Sequence, residues 1–239
     1  MIGKKEIIQA VSRDEILDYF NRFYTPDAYT TVIVGDVDSA ITLKKVAKAF
    51  EREKRTQERV KYPKINAIEG IKRKDDFMDI NKTHIMYGFL APKFNQPKDS
   101  YALDVLSTML TEGKSSILEQ VLKENKQLVL SVTSGNYSQK DSGTFYIYVT
   151  IDPFKEAEIE AQVMSELEKI HQGEFDENQV KKAINQIKTD TYYQRESISN
   201  IASDLGYYFT FSNDENYYEN YLKNIEKVTK ADVIRVIRK

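Results

Sequence analysis

The first fifty residues alternate between helical and extended patterns. Ser12 and Glu15 stand as a capping-box pair ahead of apolar residues spaced three and four apart, which predicts an amphipathic helix ending before Pro26. The run Thr30–Val34 is rich in β-branched residues and predicts a buried strand. A second helical stripe follows, made of Leu43, Val46, Ala47 and Phe50.

A polar connector separates this region from a second one that begins with a strand at Thr83–Ala91. A helix ended by Gly113 comes next, and a second short helix carries the apolar residues of 117–122. The runs Leu128–Thr133 and Gly143–Ile151 then predict an antiparallel hairpin, because the latter run alternates apolar and polar residues.

The last third of the chain shows helical patterns only. One long helix is expected to end at Gly173 and another to begin at Asp176. The apolar stripe between Ile198 and Phe209 either continues that helix or starts its successor. Strands followed by runs of helices predict an α+β fold, with a mostly antiparallel sheet and helices packed on one face.

The two ends of the chain resemble each other. Ser12 and Glu15 have counterparts in Thr229 and Asp232, with the same capping pattern and a similar apolar stripe. We therefore predict that residues 1–60 are the tail of one αβ domain, residues 61–80 a connector, and residues 81–239 a second αβ domain that lacks its last strand. The missing strand would leave a sheet edge unpaired, so we expect self-association.

The composition of the chain limits the kinds of partner it is expected to bind. The 239 residues are 41% hydrophobic and 30% charged, with 35 basic against 37 acidic side chains, which is typical of a soluble globular domain without a nucleic-acid partner. The basic stretch 44–61 gives an alternative, a nucleic-acid-binding module, only weak support. No apolar run is long enough to span a bilayer and the first residues lack a secretory signal, so the pattern indicates no compartment.

The reactive side chains exclude several chemistries. The chain has no cysteine, and its two histidines, His84 and His171, cannot form an HxxEH or any other close pair. It also lacks a GxSxG nucleophile elbow and a glycine-rich phosphate loop. We therefore expect no metal site and no catalytic residue in this chain.

Four segments, taken in order, resemble a known family. Residues 11–38, with a Tyr-x-Pro and a Gly-Asp-Val-Asp turn, are similar to the end of the first domain of insulinase-type (M16) metallopeptidases. The family's inactive half is similar, in order and spacing, to the three segments that follow: THIMYGFLAP, TEGKSSILEQVLKENKQLVLSV and NIEKVTKADVIRVIRK. The resemblance implies the LuxS/MPP-like α+β fold over nearly the whole chain.

The resemblance also implies where the chemistry lies. In the family the zinc-binding HxxEH precedes the region matched here, so zinc is implied for the parent enzyme or a partner half. The family's inactive half holds the substrate with an arginine and a tyrosine seven residues later, and Lys123 and Leu130 occupy those positions. Lys123 can still offer a cation, although without the bidentate fork of arginine. The alternative is that Lys123 is merely solvated and Leu130 belongs to the core.

The function implied is that of the non-catalytic half of an M16-type zinc metallopeptidase. Such a half forms the chamber wall opposite a metal-bearing half, and peptide hydrolysis requires both. The alternative is a structural or assembly subunit of the same fold with no peptidase role, which the departures at Lys123 and Leu130 favour.

Overall fold

The computed structural model describes residues 3–51, 55–58, 60, 66, 68–94, 96–153 and 155–238. The predicted connector 61–80 and the basic stretch 44–61 therefore lie partly outside the described residues. The first region holds helices α1 (Lys5–Ala10), α2 (Arg13–Phe23) and α3 (Ser39–Phe50), and a short 3-10 turn at Pro26–Ala28.

The second region contains the sheet and most of the helices. Its elements are β1 (Thr83–Ala91), α4 (Pro97–Thr111), a π-helix (Glu119–Asn125), β2 (Ser131–Ser138), β3 (Gly143–Ile151), α5 (Glu156–Gln172), α6 (Glu177–Gln194), α7 (Ile198–Ser212), α8 (Tyr217–Ile225) and α9 (Lys230–Ile237). The apolar stripe after residue 198 thus starts a separate helix, capped by Ser197, whose side chain accepts a hydrogen bond from the backbone of Asn200.

The capping boxes predicted at both ends are present. Ser12 Oγ accepts from the Glu15 amide at 3.2 Å, and Thr229 Oγ1 accepts from the Asp232 amide at 3.3 Å. The two helices differ in surroundings, because α2 buries no residue whereas α9 buries Val233. The internal repeat therefore extends to the helix caps but not to the packing.

The strand predicted at Thr30–Val34 is wrong. This segment belongs to no helix or strand, and no strand in the described part of the chain pairs with it. It lies instead against α7, where Val32 Cγ2 would be 3.6 Å from a Cβ placed on Gly206. A strand requires a neighbouring strand to hydrogen-bond with, and α7 offers only side chains.

The described strands form one antiparallel sheet in the order β1-β3-β2. Thr83 pairs with Ile151 at one end of β1 and Ala91 with Gly143 at the other. On β3 every second residue is buried, as the alternation predicts. The hairpin is confirmed, but β2 begins at Ser131 instead of Leu128, because Leu128 and Val129 are buried in the preceding turn.

The core lies on one side of this sheet. Every described apolar side chain that is buried lies between Phe94 and Val236 in the sequence. Of the helices, α4 has the most extensive contact with the sheet, and it makes this contact through β2. Among the described residues, no helix is long and apolar enough to cross a membrane. The predicted α+β layer, with helices on one face of an antiparallel sheet, is confirmed.

Aromatic side chains form a cluster where α4, α7 and α8 meet. The Tyr208 ring is 5.0 Å from that of Tyr217 and 5.8 Å from that of Tyr221, both in stacked arrangements. We call this group the aromatic cluster; its members are Phe94, Tyr101, Tyr207, Tyr208, Phe211, Tyr217 and Tyr221. It ties the last third of the chain to the helix that supports the sheet.

Candidate functional site

Lys123 lies on the π-helix that precedes β2. Leu118 and Leu122 are fully buried and fix this segment to the core. The wider π-helical turn is an uncommon geometry that recurs at functional sites. Lys123 is therefore held on a fixed segment, with its side chain toward the surface.

The ammonium group of Lys123 already has a partner. Its Nζ donates to Glu119 Oε1 at 2.6 Å, one turn earlier. The Lys123 side chain is 41% exposed, whereas that of Glu119 is only 13% exposed. This hydrogen bond raises the pKa of Lys123 above its ordinary value, so the group remains a cation.

Leu130 does not belong to the core. The chain leaves the π-helix through Gln127, which has a left-handed φ of 51°. Leu128 and Val129 then take the buried positions, and Leu130 is left 44% exposed, with its amide donating to the Thr150 carbonyl at 2.8 Å. The alternative that Leu130 belongs to the core is therefore wrong. Its side chain is an exposed apolar group just before β2.

The side of the sheet away from the core is open. The residues pointing to this side alternate with the buried ones on all three strands, and none of them is charged. We call this surface the open face; it consists of His84, Met86, Gly88 and Leu90 on β1, Thr144, Tyr146, Tyr148 and Thr150 on β3, and Ser131, Thr133, Gly135 and Tyr137 on β2.

His84 and Tyr148 form a pair on the open face. The His84 Nδ1 atom lies 2.7 Å from Tyr148 Oη and 3.3 Å from Thr150 Oγ1, and the two rings are stacked. Sequence reasoning missed this pair, since its members are far apart in the chain. The strand register could have found it, because both residues occupy outward positions on neighbouring strands.

The side chains in the described part of the chain do not fit a zinc ion. His171 lies on α5, with Nδ1 3.2 Å from Glu168 Oε2, whereas His84 lies on β1. In the described part of the chain, no three histidine, aspartate or glutamate side chains come together in a way that could hold a metal. No step of metal chemistry can therefore be assigned to these residues.

A family model identifies the class of protein. Residues 10–187 match the peptidase M16 inactive domain. The chain therefore belongs to this family, as the four segments of its sequence predicted.

Individual relatives agree with the family match. Over 244 residues the chain is 30% identical to the zinc protease PqqE of Helicobacter pylori, covering 98% of this chain and 54% of that protein. The crystal structure of a protease from Helicobacter pylori superposes with a TM-score of 0.87 at 27% identity, over 99% of this chain and 58% of the other. A peptidase M16 inactive domain from Pseudomonas fluorescens gives a TM-score of 0.83 at 16% identity, over 98% and 55% of the two chains. The chain thus spans about half the length of the relatives it matches.

Proposed function

We propose that this chain acts in peptide hydrolysis as the wall that closes on a metal-bearing M16 half. The observation that carries the proposal is the match to the inactive domain over residues 10–187. The metal-bearing half would hold zinc and activate the attacking water. This chain would supply the opposing surface that confines the peptide.

Exposed apolar side chains in the first region support the idea that another part of the protein packs against it. Helices α1, α2 and α3 bury no residue, and Ile7, Ile16, Phe20 and Leu43 are all exposed. Several large apolar side chains exposed in one region are typical of an interface. We propose that residues 1–60 complete a first αβ domain and residues 81–239 form the second, joined by the connector 61–80.

The open face and Lys123 are the parts of this chain that would meet the peptide. Lys123 would offer one positive charge to a substrate carbonyl oxygen as that oxygen becomes negative. Its ion pair with Glu119 reduces what it can offer, because the carboxylate competes with the substrate. The open face would contact the rest of the peptide without charge.

Reconstitution tests the proposal. This chain, the metal-bearing half of the same protein and an equimolar mixture should each be assayed on an internally quenched peptide. We expect hydrolysis from the mixture only, its loss with a zinc chelator and its recovery with added zinc. A metal-bearing half whose zinc-binding histidines are replaced by alanine serves as the control.

Two outcomes would contradict the proposal. If the metal-bearing half alone hydrolyses the peptide as fast as the mixture, this chain is a structural or assembly subunit, the alternative function. If this chain alone carries stoichiometric zinc and hydrolyses the peptide, it is not an inactive half.

Lys123 provides a second test at the level of one residue. We expect Lys123→Ala to change turnover of the mixture by less than about tenfold, because the ion pair with Glu119 leaves little of the lysine's charge for a substrate oxygen. Lys126→Ala is the matched control, since Lys126 is exposed in the same turn and bonds to Gln162. A loss of a hundredfold with Lys123→Ala alone would show that the lysine performs the role of the family's arginine.

A further inference from the structure

The second region encloses several carboxylates, and one of them has no cation beside it. Asp99 on α4 is 9% exposed, and its carboxylate contacts the guanidinium group of Arg235. Glu166 on α5 is 6% exposed and accepts a hydrogen bond from Lys169 Nζ at 2.8 Å. Asp104 on α4 differs, because no lysine, arginine or histidine in the described part of the chain pairs with it.

Asp104 is bonded to neutral groups on two other elements. Asn136 Nδ2 of β2 donates to its Oδ1 at 2.8 Å, and Tyr221 Oη of α8 donates to its Oδ2 at 3.0 Å. The carboxylate therefore bridges α4, β2 and α8. An asparagine side chain would form a similar bridge without a charge.

The ionisable groups that face this carboxylate from the neighbouring helices are phenols. They are Tyr207 and Tyr208 on α7, and Tyr217 and Tyr221 on α8. Burial raises the pKa of each phenol, so all of them are neutral at physiological pH. Arg195, which follows α6, and Asp204 on α7 act on Tyr208 but not on Asp104. No described group thus balances a negative charge on Asp104, so the ionised form is costly here.

Helices α7 and α8 pack over this site, and we call residues 198–225 the α7–α8 layer. Helix α7 buries no residue, and α8 buries four: Tyr217, Tyr218, Leu222 and Ile225. The layer is therefore held mainly by α8, through the aromatic cluster and the bond from Tyr221 to Asp104. A layer with so few buried side chains is the kind of unit that opens while the rest of a protein stays folded.

We propose that Asp104 is a proton-controlled latch for the α7–α8 layer, which is held firmly when the carboxyl group is protonated and opens more readily when it is ionised. A hydrogen bond with Tyr221 is available in both states, since a protonated carboxyl group can donate to Oη and a carboxylate can accept from it. What differs is the uncompensated charge, which water stabilises once the layer opens. Because Gly206 of α7 lies against Val32, the latch also affects how firmly the first region is held.

The direction and range of the effect follow from the two protonation equilibria. Burial raises the pKa of Asp104 to about 6 in the closed state, whereas an open layer would return it to about 3.9. The stabilisation of the closed layer by the proton is complete below the lower value, and it is lost as the pH rises through about 6.

Amide hydrogen exchange of this chain measures the opening directly. The α8 amides of Leu222 and Lys223 report on the layer, and the β3 amides of Ile147 and Val149 report on global unfolding. After correction for intrinsic exchange rates, we expect the α8 amides to be less protected than the β3 amides at pH 5 and at pH 7. The equilibrium constant for opening of the layer should rise by about tenfold from pH 5 to pH 7.

Variants assign the effect to one carboxylate. Asp104→Asn keeps the size of the side chain and carries no charge, so the layer should open to the same extent at both pH values. Asp204→Asn is the matched control, because it removes a half-buried carboxylate of α7 that forms no bond with Tyr221, and the tenfold change should remain. If Asp104→Asn does not fold, Tyr221→Phe replaces it. This variant keeps the carboxylate and removes the α8 donor, so its layer should open more than that of the natural chain at pH 7.

Three results would overturn the inference. Equal protection of the α8 and β3 amides would mean that the layer does not open by itself. Equal opening of the natural chain at pH 5 and pH 7 would mean that no proton controls it, and a pH dependence that persists in Asp104→Asn would assign it to another group. The measurement needs neither the metal-bearing half nor a peptide, so its outcome is independent of the reconstitution experiment.

Discussion

The carboxylate of Asp104 lies between two hydrogen-bond donors on α4's inner side. Asn136 Nδ2 donates to it at 2.8 Å and Tyr221 Oη at 3.0 Å. Although the residue as a whole keeps some surface exposure, its carboxylate is enclosed with Tyr208 and Tyr217 nearby. Burial raises the pKa of Asp104 to about 6, against the opposing effect of the two donors.

This shift predicts a pH dependence. A raised pKa in the folded state means that the contribution of Asp104 to stability is complete below pH 4 and is lost as the pH rises through about 6. We expect the free energy of unfolding of the natural chain, relative to Asp104→Asn, to fall by on the order of 2 kcal/mol between pH 4 and 7. Urea unfolding of both proteins across this range measures the difference; parallel curves would contradict it.

The left-handed backbone conformation of Gln127 is less favourable for glutamine than it would be for glycine. Its φ of 51° is left-handed, and its side chain is exposed. We expect Gln127→Gly to stabilise the chain by about 0.5–1 kcal/mol, because glycine enters this region without a Cβ clash. Gln127→Ala keeps the Cβ and should bring no gain in thermal denaturation. Equal effects of the two substitutions would show that the turn is not strained.

At the scale of the element, the two capping boxes form a natural comparison. Thr229→Ala removes the cap of α9, which carries Val233 and Val236 into the core. It should cost about 1 kcal/mol and lower the melting temperature by about 2–4 °C. Ser12→Ala removes the same bonds from α2 but should leave the main transition unchanged, because α2 buries nothing. A similar loss from both would mean that α2 unfolds together with the core.

Elements whose pattern is local were predictable from the sequence. The alternation on β3, the helix end at Gly173 and the helix start at Asp176 each depend on residues within a few positions of one another. The strand expected at Thr30–Val34 failed, because its existence depends on a partner strand and not on its own composition. The beginning of β2 was misplaced because Leu128 and Val129 are buried in the turn before the strand, so their apolar character does not indicate a strand.

The candidate site was less accessible to sequence reasoning. The position of Lys123 was identified by resemblance, but its ion pair with Glu119 depends on the π-helical geometry of that turn.

At the scale of the whole molecule, apolar surface remains uncovered. Phe20 and its neighbours on α2 are exposed, and β1 and β2 form the two edges of the sheet. We expect the isolated chain to self-associate at high micromolar concentration through these surfaces. In sedimentation, Phe20→Lys should weaken the association, whereas Gln9→Lys, the same charge at an exposed polar position on α1, should not. A strict monomer would contradict the expectation.

The aromatic cluster also affects how the ultraviolet absorbance of the protein changes in alkali. The chain has no tryptophan and 16 tyrosines, so its near-ultraviolet absorption comes mainly from phenol rings. Burial raises the pKa of Tyr208, Tyr217 and Tyr221 above the ordinary value. The stability held by these phenols is therefore present at neutral pH and is lost as strong alkali ionises them in the unfolded chain. In an alkaline titration the exposed tyrosines therefore ionise first, and the last part of the rise in ultraviolet absorbance, from these three rings, marks the separation of α7 and α8 from α4.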